Sequence, residues 1–171
     1  MKNKILAYYL LLNLVNLFIS CSNDDGSTAI PDSSTPQTII RSNAVLVDFG
    51  SQEFTNNLGL GITIPENEKD ISNDEPLLLF LYYQLKEDSS KTWIYMPTVQ
   101  LEKNYKIYYS RNNLNFNIIV EKSDSNEPYG SPLDFSDLRV IAAKPATLSG
   151  LTRNDLDIRD YNQMVEYFDL K

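Results

Sequence analysis

Hydrophobic and polar residues alternate along much of the chain after residue 43, with the two-residue period that is typical of half-buried β-strands. The clearest case is residues 114–120, where four apolar side chains fall on one face and two asparagines fall on the other. Turn-forming residues separate the alternating segments. The pattern predicts six or seven short strands, within residues 44–49, 58–64, 77–85, 92–96, 105–111, 114–120 and 138–143.

Residues 77–85 form the most apolar of these segments, with nine residues and no charge. A strand of that composition has no solvent-facing side, so we expect it to run through the middle of the core with both faces covered. A polar turn at 86–91 separates it from residues 92–96, in which Trp93 and Tyr95 share a face. The two segments therefore predict a β-hairpin.

The period changes near the C-terminus, where residues 157–171 predict one amphipathic helix. Its apolar positions recur at i, i+3, i+4 and i+7: Tyr161, Met164, Val165 and Phe168. Asp160, with Gln163 three residues later, has the spacing of an N-cap with a capping box. A helix with one apolar stripe normally packs on its own domain, and we expect this helix to do so rather than to bind a partner.

Short strands separated by turns and followed by a single helix are typical of a mainly β fold. We therefore expect residues 44–171 to form one antiparallel β-sandwich, immunoglobulin-like or barrel-like, with one C-terminal α-helix. A domain of about 130 residues buries close to two thirds of its unfolded surface, so it is large enough to fold without disulfide bonds.

The N-terminus has the features of a bacterial secretion signal. Two lysines precede a mostly apolar run of 15 residues at 5–19, which is shorter than the ~20 residues of a membrane-spanning helix. An uncleaved anchor helix is the alternative. Residues 18–21, Phe-Ile-Ser-Cys, resemble a lipobox, with the small Ser20 before the cleavage point and Cys21 as the acylated residue. The resemblance implies that residues 1–20 are a lipoprotein signal peptide and that acyl chains on Cys21 anchor the mature protein to a membrane.

Polar residues predominate after the lipobox. Ser22, Asp24 and Asp25 are similar to the acidic surface-export signal of Bacteroidota lipoproteins, which implies an outer-membrane protein that faces the cell exterior. Ordinary linker residues, in a lipoprotein retained on the periplasmic face, are the alternative. Residues 21–43 are rich in Ser, Thr, Asp and Pro and lack a repeating apolar face, so they predict a disordered tether between the anchor and the domain.

The order of elements also resembles that of small surface lipoproteins of Bacteroidota, a family without an established activity. In that family an acidic turn leads into an apolar strand with paired tyrosines, then a Thr-Trp strand that ends in Pro, a later Arg-Val strand and a final helix. The matching segments here are residues 71–74, 79–83, 92–97, 139–142 and 160–168. The resemblance covers most of residues 44–171 and implies a lipid-anchored β-rich domain, but it transfers no catalytic residue to this chain.

The composition excludes several kinds of catalytic and metal-binding site. The chain has no histidine and a single cysteine, which excludes Ser-His-Asp and Cys-His nucleophilic sites, histidine-ligated zinc or haem, and an intramolecular disulfide. Acidic residues outnumber basic ones by 23 to 15, for a formal charge of -8, which argues against a nucleic-acid partner. We therefore name no catalytic residue and expect neither a metal nor a cofactor.

Aromatic residues are the best candidates for a binding surface. Exposed rings on a sheet stack on glycans and peptides, although Trp and Tyr are also common in sandwich cores. Trp93, Tyr95 and Tyr108 are the possible ligand-facing residues. Alternation places Tyr108 outward, and it places Tyr105 and Tyr109 inward beside the core.

Carboxylates are the other candidate group, since two acidic loops lie at residues 66–75 and 121–127. Neither loop has the spacing of a helix-loop-helix calcium site, so we expect solvated surface loops. We predict a non-catalytic binding or accessory module of the cell envelope, with a glycan or an envelope protein as its partner. The alternatives are a glycoside hydrolase with two catalytic carboxylates and a structural spacer. Exposed rings in a concave face would favour binding, whereas a carboxylate-lined cleft would favour hydrolysis.

Overall fold

The computed structural model describes residues 36–68, 70–152 and 154–171. Within these ranges the chain forms nine β-strands, a 3₁₀ turn and two short α-helices. The strands are β1 (Gln37–Ile40), β2 (Ala44–Phe54), β3 (Asn57–Gly61), β4 (Leu78–Leu85), β5 (Ile94–Met96), β6 (Thr98–Gln100), β7 (Tyr105–Asn112), β8 (Asn115–Lys122) and β9 (Leu133–Ala143). The helices are α1 (Pro145–Leu148) and α2 (Tyr161–Tyr167).

The strands form two antiparallel sheets. The five-stranded sheet has the order β1-β2-β9-β4-β5, and the four-stranded sheet has the order β3-β8-β7-β6. β4 and β5 pair as the predicted hairpin, and only Pro97 separates β5 from β6, so the chain passes directly from one sheet to the other at this point. The predicted antiparallel β-sandwich is confirmed.

The main hydrophobic core fills the space between the two sheets. Its members come from both sheets and include Val47, Leu81, Tyr83, Val140, Ile107, Phe116 and Ile118. Tyr105 is buried in this core and Tyr109 packs against it, as the alternation predicts. β4 is buried on both faces along most of its length, which confirms the prediction for residues 77–85.

A second hydrophobic cluster, here called the outer cluster, lies on the outer face of the five-stranded sheet, where the C-terminal segment covers it. Phe80, Tyr82 and Ile141 contribute from the sheet, and Met164 and Val165 contribute from α2. The chain after β9 therefore forms a third layer. The prediction that the apolar stripe of the helix packs on its own domain is confirmed.

α2 is shorter than the predicted helix at 157–171, because hydrogen bonds end it on both sides. Oδ1 of Asp160 accepts two backbone N–H groups of the first turn, at 2.9 and 3.2 Å. At the other end, the N–H of Leu170 donates to the Val165 carbonyl at 2.9 Å, and Asp169 has a φ of 54°. This is a Schellman motif, with Asp169 in the left-handed conformation that glycine usually adopts at this position.

The prediction of a tether over residues 21–43 is wrong at its C-terminal end, because β1 occupies Gln37–Ile40. Ile39 packs on the outer cluster and Ile40 on the main core, as expected for neighbouring side chains on opposite faces of a strand. The last two residues of β1 are therefore stabilised by partial burial on opposite faces. The rest of the predicted tether, residues 21–35, lies outside the described residues.

Candidate functional site

A row of side chains crosses the outer face of the five-stranded sheet. Asp48, Arg139, Tyr82 and Tyr95 are register partners, one on each of β2, β9, β4 and β5. Register partners point to the same face of a sheet, so the four side chains are neighbours. Tyr161 of α2 lies over the row, with its ring centroid 5.3 Å from that of Tyr82. The row thus brings a carboxylate, a guanidinium and phenol rings together beside the third layer.

Arg139 is central in this row and uses all three of its guanidinium nitrogens. Nε donates to Oδ2 of Asp48 at 3.0 Å, and Nη1 donates to the hydroxyl oxygen of Tyr161 at 2.7 Å. Nη2 lies 2.9 Å from Oδ2 of Asp48 and 3.0 Å from Oδ2 of Asp137. The guanidinium therefore holds two carboxylates and one residue of α2 in fixed positions.

Two aromatic rings stack with this guanidinium. The ring centroids of Trp93 and Tyr161 are 4.2 Å apart, with their planes inclined at 35°. Cζ of Arg139 lies 4.9 Å from the Trp93 centroid and 5.6 Å from the Tyr161 centroid. A cation over the face of an aromatic ring is attracted by the ring quadrupole, so Arg139 helps to fix the orientation of both rings.

The carboxyl group of Asp137 is the perturbed acid of this site. Burial raises the pKa of Asp137 to about 6; the negative charge of Asp48 acts in the same direction, and Arg139 opposes it. Oδ1 of Asp137 is buried and accepts no hydrogen bond from the described residues. A protonated Asp137 can instead donate to the neighbouring Asp48. Asp137 is therefore a group that takes up a proton near pH 6.

An open groove with a volume of about 730 Å³ lies at the β5 edge of the five-stranded sheet. Trp93, Tyr95 and Tyr161 supply its aromatic lining. The charged and amide side chains that line it are Lys91, Asp157, Arg159, Asp160 and Asn162. The volume falls within the ~300 to 1,000 Å³ of small-ligand sites. The groove therefore combines a concave shape, aromatic surface and hydrogen-bonding groups.

Internal hydrogen bonds hold three polar residues of the groove, Asp157, Arg159 and Asp160, in place. Nε and Nη2 of Arg159 each donate to one carboxylate oxygen of Asp157, both at 3.1 Å. Asp160 uses both of its carboxylate oxygens at the start of α2, since Oδ2 accepts from Nε2 of Gln163 at 3.1 Å. These three side chains are therefore pre-organised before any ligand binds.

The structure brings Trp93 and Tyr95 together in the groove, but Tyr108 does not line it. Tyr108 lies on β7 of the four-stranded sheet, and its hydroxyl donates to Oε1 of Glu121 at 2.9 Å. That hydrogen bond raises the pKa of the Tyr108 phenol, because a neighbouring carboxylate favours the protonated form. Two of the three predicted ligand-facing residues therefore share a site.

Sequence reasoning missed the residues that complete the site. The apolar stripe accounts for Tyr161 as a core residue, and it is 6% exposed, yet it also borders the groove. Asp137 and Arg139 are two residues apart on one strand, a spacing that places both on one face. That spacing is the sequence signal for the pair, whereas Asp48, 91 positions before Arg139, gives none.

Ser20, Cys21, Ser22, Asp24 and Asp25 lie outside the described residues, so the anchor and the export signal stay predictions. Within the part of the chain that the structure describes, no helix is long and apolar enough to cross a membrane. The same part holds no group of three or more Asp, Glu or Cys side chains placed to bind a metal ion.

Comparison of the chain with protein-family models, with curated proteins and with solved structures finds no match. A proposal for the function therefore depends on the site itself. The site is an aromatic groove at a sheet edge, where Arg139 fixes the orientation of Trp93 and Tyr161.

Proposed function

We propose that the chain is a lipid-anchored protein of the bacterial outer membrane whose β-sandwich binds a glycan without catalysis. The observation that carries the proposal is the groove at the β5 edge, in which the half-buried Trp93 and Tyr95 present aromatic surface among polar side chains, with the buried Tyr161 behind them. A concave aromatic face of this kind favours a binding module over a structural spacer. The anchor is inferred from Cys21 and the lipobox around it.

The composition of the groove fits the chemistry of a sugar. One face of a pyranose ring carries C–H groups that pack on aromatic rings, while its hydroxyl groups need hydrogen-bond partners. The aromatic rings of the groove can pack on the C–H face of the sugar. Arg159 and Asn162 can form hydrogen bonds with its hydroxyl groups. Its two basic residues, Lys91 and Arg159, balance its two acidic ones, so the lining favours an uncharged glycan.

The carboxylates in the groove have structural roles, which supports binding without catalysis. Asp157 forms two hydrogen bonds with Arg159, and Asp160 caps α2. Asp48 and Asp137 do not line the groove. A glycosidase needs one carboxylic acid and one carboxylate that act directly on the bond it cleaves. The four groups are therefore better suited to shaping the site than to reacting with a ligand.

A glycoside hydrolase is the second candidate function, and it would place the reaction at Asp48 and Asp137, outside the groove. A carboxyl group whose pKa is raised to about 6, beside a second carboxylate, resembles an acid catalyst and its partner. Hydrolysis of chromogenic glycosides or envelope polysaccharides by the wild-type chain, lost in Asp137→Asn, would establish this function. The binding proposal expects no hydrolysis by either protein.

The proposal is tested with envelope polysaccharides and the full chain. Trp93 is the single tryptophan of the sequence, so its fluorescence reports directly on the groove. We expect a bound polysaccharide to shift this emission and to retard the protein in native gels that contain it. Tyr95→Ala and Trp93→Ala should weaken retardation at least tenfold, because each removes a stacking surface. Tyr108→Ala, on the other sheet, is the matched control and should bind normally.

Circular dichroism of each variant separates loss of binding from loss of the fold. If Trp93→Ala does not fold, Trp93→Phe replaces it, because phenylalanine keeps an aromatic ring at this position. Normal polysaccharide binding by folded Tyr95→Ala and Trp93→Ala variants would overturn the glycan proposal. So would the absence of any polysaccharide binding by the wild-type chain. Specific capture of an envelope protein at the same residues would replace the glycan by a protein partner.

A further inference from the structure

A second pocket, with a volume of about 380 Å³, lies next to the groove and has a different chemistry. Its lining is mainly apolar and consists largely of Tyr95, Leu148, Leu151, Leu156 and Ile158. Its volume also falls within the ~300 to 1,000 Å³ of ligand sites. The pocket and the groove share Tyr95, Asp157 and Arg159, so the two cavities have a common wall.

The core beneath the apolar pocket holds it in shape. Leu156 is 6% exposed and belongs to the outer cluster. The hydroxyl of Tyr82 donates to the backbone carbonyl of Ile158, which attaches the chain at the rim to β4. Thr152 donates its N–H and its hydroxyl to Oδ2 of Asp155, at 2.8 and 2.7 Å, and so closes the turn that precedes Leu156. The pocket is therefore formed without a ligand.

Apolar side chains remain accessible at this pocket. Leu151 is 37% exposed and Ile158 is 38% exposed. Single exposed apolar residues need no explanation, but these two line one apolar pocket and so give it a continuous accessible apolar surface beside the polar groove. The polar groove alone would not require such a surface.

We propose that the ligand is an amphiphilic glycan, with its sugar in the aromatic groove and an attached apolar chain in the pocket. The inference rests on the proposed function and deepens it, because it names the ligand class. The shared wall at Tyr95 supports a single occupant, since a sugar stacked in the groove has its substituent close to the pocket. A hydrocarbon alone would leave the polar groove unfilled, and an unsubstituted glycan would leave the apolar pocket unfilled.

A series of n-alkyl maltosides tests the inference with the full chain, each used below its critical micelle concentration and with Trp93 fluorescence as the readout. From methyl to octyl maltoside only the chain changes. We expect each added methylene to tighten binding by up to about fourfold, the equilibrium equivalent of burying one methylene group. n-Octyl phosphocholine carries the same chain without the sugar, and it should bind at least tenfold more weakly than octyl maltoside.

Substitutions in the pocket should separate the two parts of the ligand. Leu151→Ser and Ile158→Ser should remove most of the dependence on chain length and leave the affinity for methyl maltoside unchanged. Leu101→Ser is the matched control, because Leu101 is 78% exposed and does not line the pocket. It should leave both affinities at their wild-type values.

Equal affinities for methyl and octyl maltoside, or no binding of either, would overturn the inference, while polysaccharide binding would still uphold the proposed function. Octyl phosphocholine binding as tightly as octyl maltoside would also overturn it, since the pocket would then accept a hydrocarbon without the sugar. Failure of the proposed function has a different signature, namely no retardation of the wild-type chain by envelope polysaccharides.

Discussion

Arg139 connects residues that are far apart in the sequence. It binds Asp48, 91 positions earlier, and Tyr161, 22 positions later. A guanidinium presents its donors in a rigid planar fork, so a single side chain can serve two carboxylates, a hydroxyl and two aromatic rings. Lysine, with one donor atom, cannot do so. Arg139 therefore positions Trp93 and Tyr161 without lining the groove itself.

The raised pKa of Asp137 makes stability depend on pH. Its pKa rises from the ordinary 3.8 to about 6 in the fold, so the folded state binds more protons than the unfolded state between these values. The resulting contribution to stability is complete below the unfolded pKa and is lost as the pH rises through the folded one. We expect the melting temperature of the wild-type chain, measured by circular dichroism, to fall by on the order of a few degrees from pH 5 to pH 7.

Asp137→Asn is the variant that isolates this effect, because asparagine keeps an acceptor for Arg139 and does not titrate. Its melting temperature should change less between the two pH values than that of the wild-type chain. Asp124→Asn, in an exposed turn, controls for the loss of one negative charge and should keep the wild-type profile. Parallel profiles for the wild type and Asp137→Asn would contradict the raised pKa.

At the residue scale, the sequence predicts those side-chain positions that depend only on neighbouring residues. Asp160 caps α2 as its spacing indicates, and Trp93 and Tyr95 both pack on the outer cluster as a shared face requires. The hydrogen bonds of Arg139 to Asp48 and Tyr161 join residues that are far apart in the sequence, so no local pattern predicts them. Asp48 reaches Arg139 only through the pairing of β2 with β9, which a single sequence does not reveal.

At the scale of elements, β9 shows why strand limits are hard to predict. The apolar segment 138–143 predicts a strand, whereas β9 begins at Leu133. Phe135 enters the main core, and a β-bulge at the unpaired Ser136 then shifts the alternation by one residue, so that Asp137 faces outward. A bulge breaks the two-residue period on which the prediction of a strand depends. The polar residues Asp134, Ser136 and Asp137 also resemble those of a loop, so the sequence does not show that the strand begins before residue 138.

α2 depends on its apolar stripe, and Phe168 at its C-terminal end is 6% exposed within the outer cluster. Removing a buried aromatic ring costs about 3 to 5 kcal/mol, a large share of the ~5 to 15 kcal/mol by which a domain is stable. We expect Phe168→Ala to reduce the free energy of unfolding by about that amount, measured by urea denaturation.

Glu166→Ala, on the exposed face of α2, is the control and should leave the free energy of unfolding nearly unchanged. Truncation after Ser149 removes the whole helix and should lower the melting temperature much further than Phe168→Ala does. Equal melting temperatures for the truncated and full-length chains would show that the third layer does not stabilise the sandwich.

At the scale of the whole molecule, the proposed anchor depends on Cys21. Cys21→Ala should abolish the incorporation of labelled palmitate and leave an unprocessed precursor, because the thiol is the acylation site and cleavage follows acylation. Ser27→Ala, six residues further along, should be labelled and processed normally. Palmitate labelling that persists in Cys21→Ala would refute the lipoprotein proposal.

The direction in which the domain faces depends on Ser22, Asp24 and Asp25 in our proposal. Protease added to intact cells should reach the wild-type domain. Replacing Asp24 and Asp25 together by alanine should reduce that cleavage while immunoblots show the same total protein, with a periplasmic marker confirming that the cells are intact. Complete protection of the wild-type domain would place it on the periplasmic side.

The strand order of the five-stranded sheet also determines how the domain responds to tension. β1 and β5 are its opposite edges, so four strand spacings, about 19 Å, separate the first strand from the groove. β1 pairs with β2 as a hairpin, from Gln37 opposite Asp48 to Ile40 opposite Val45. A pull on Gln37 directed across the strands, from one edge of the sheet toward the other, opens these pairs one after another instead of loading them together in shear. Tension applied through the N-terminus is therefore relieved by peeling β1 away, while β4 and β5 beside the groove keep their hydrogen bonds.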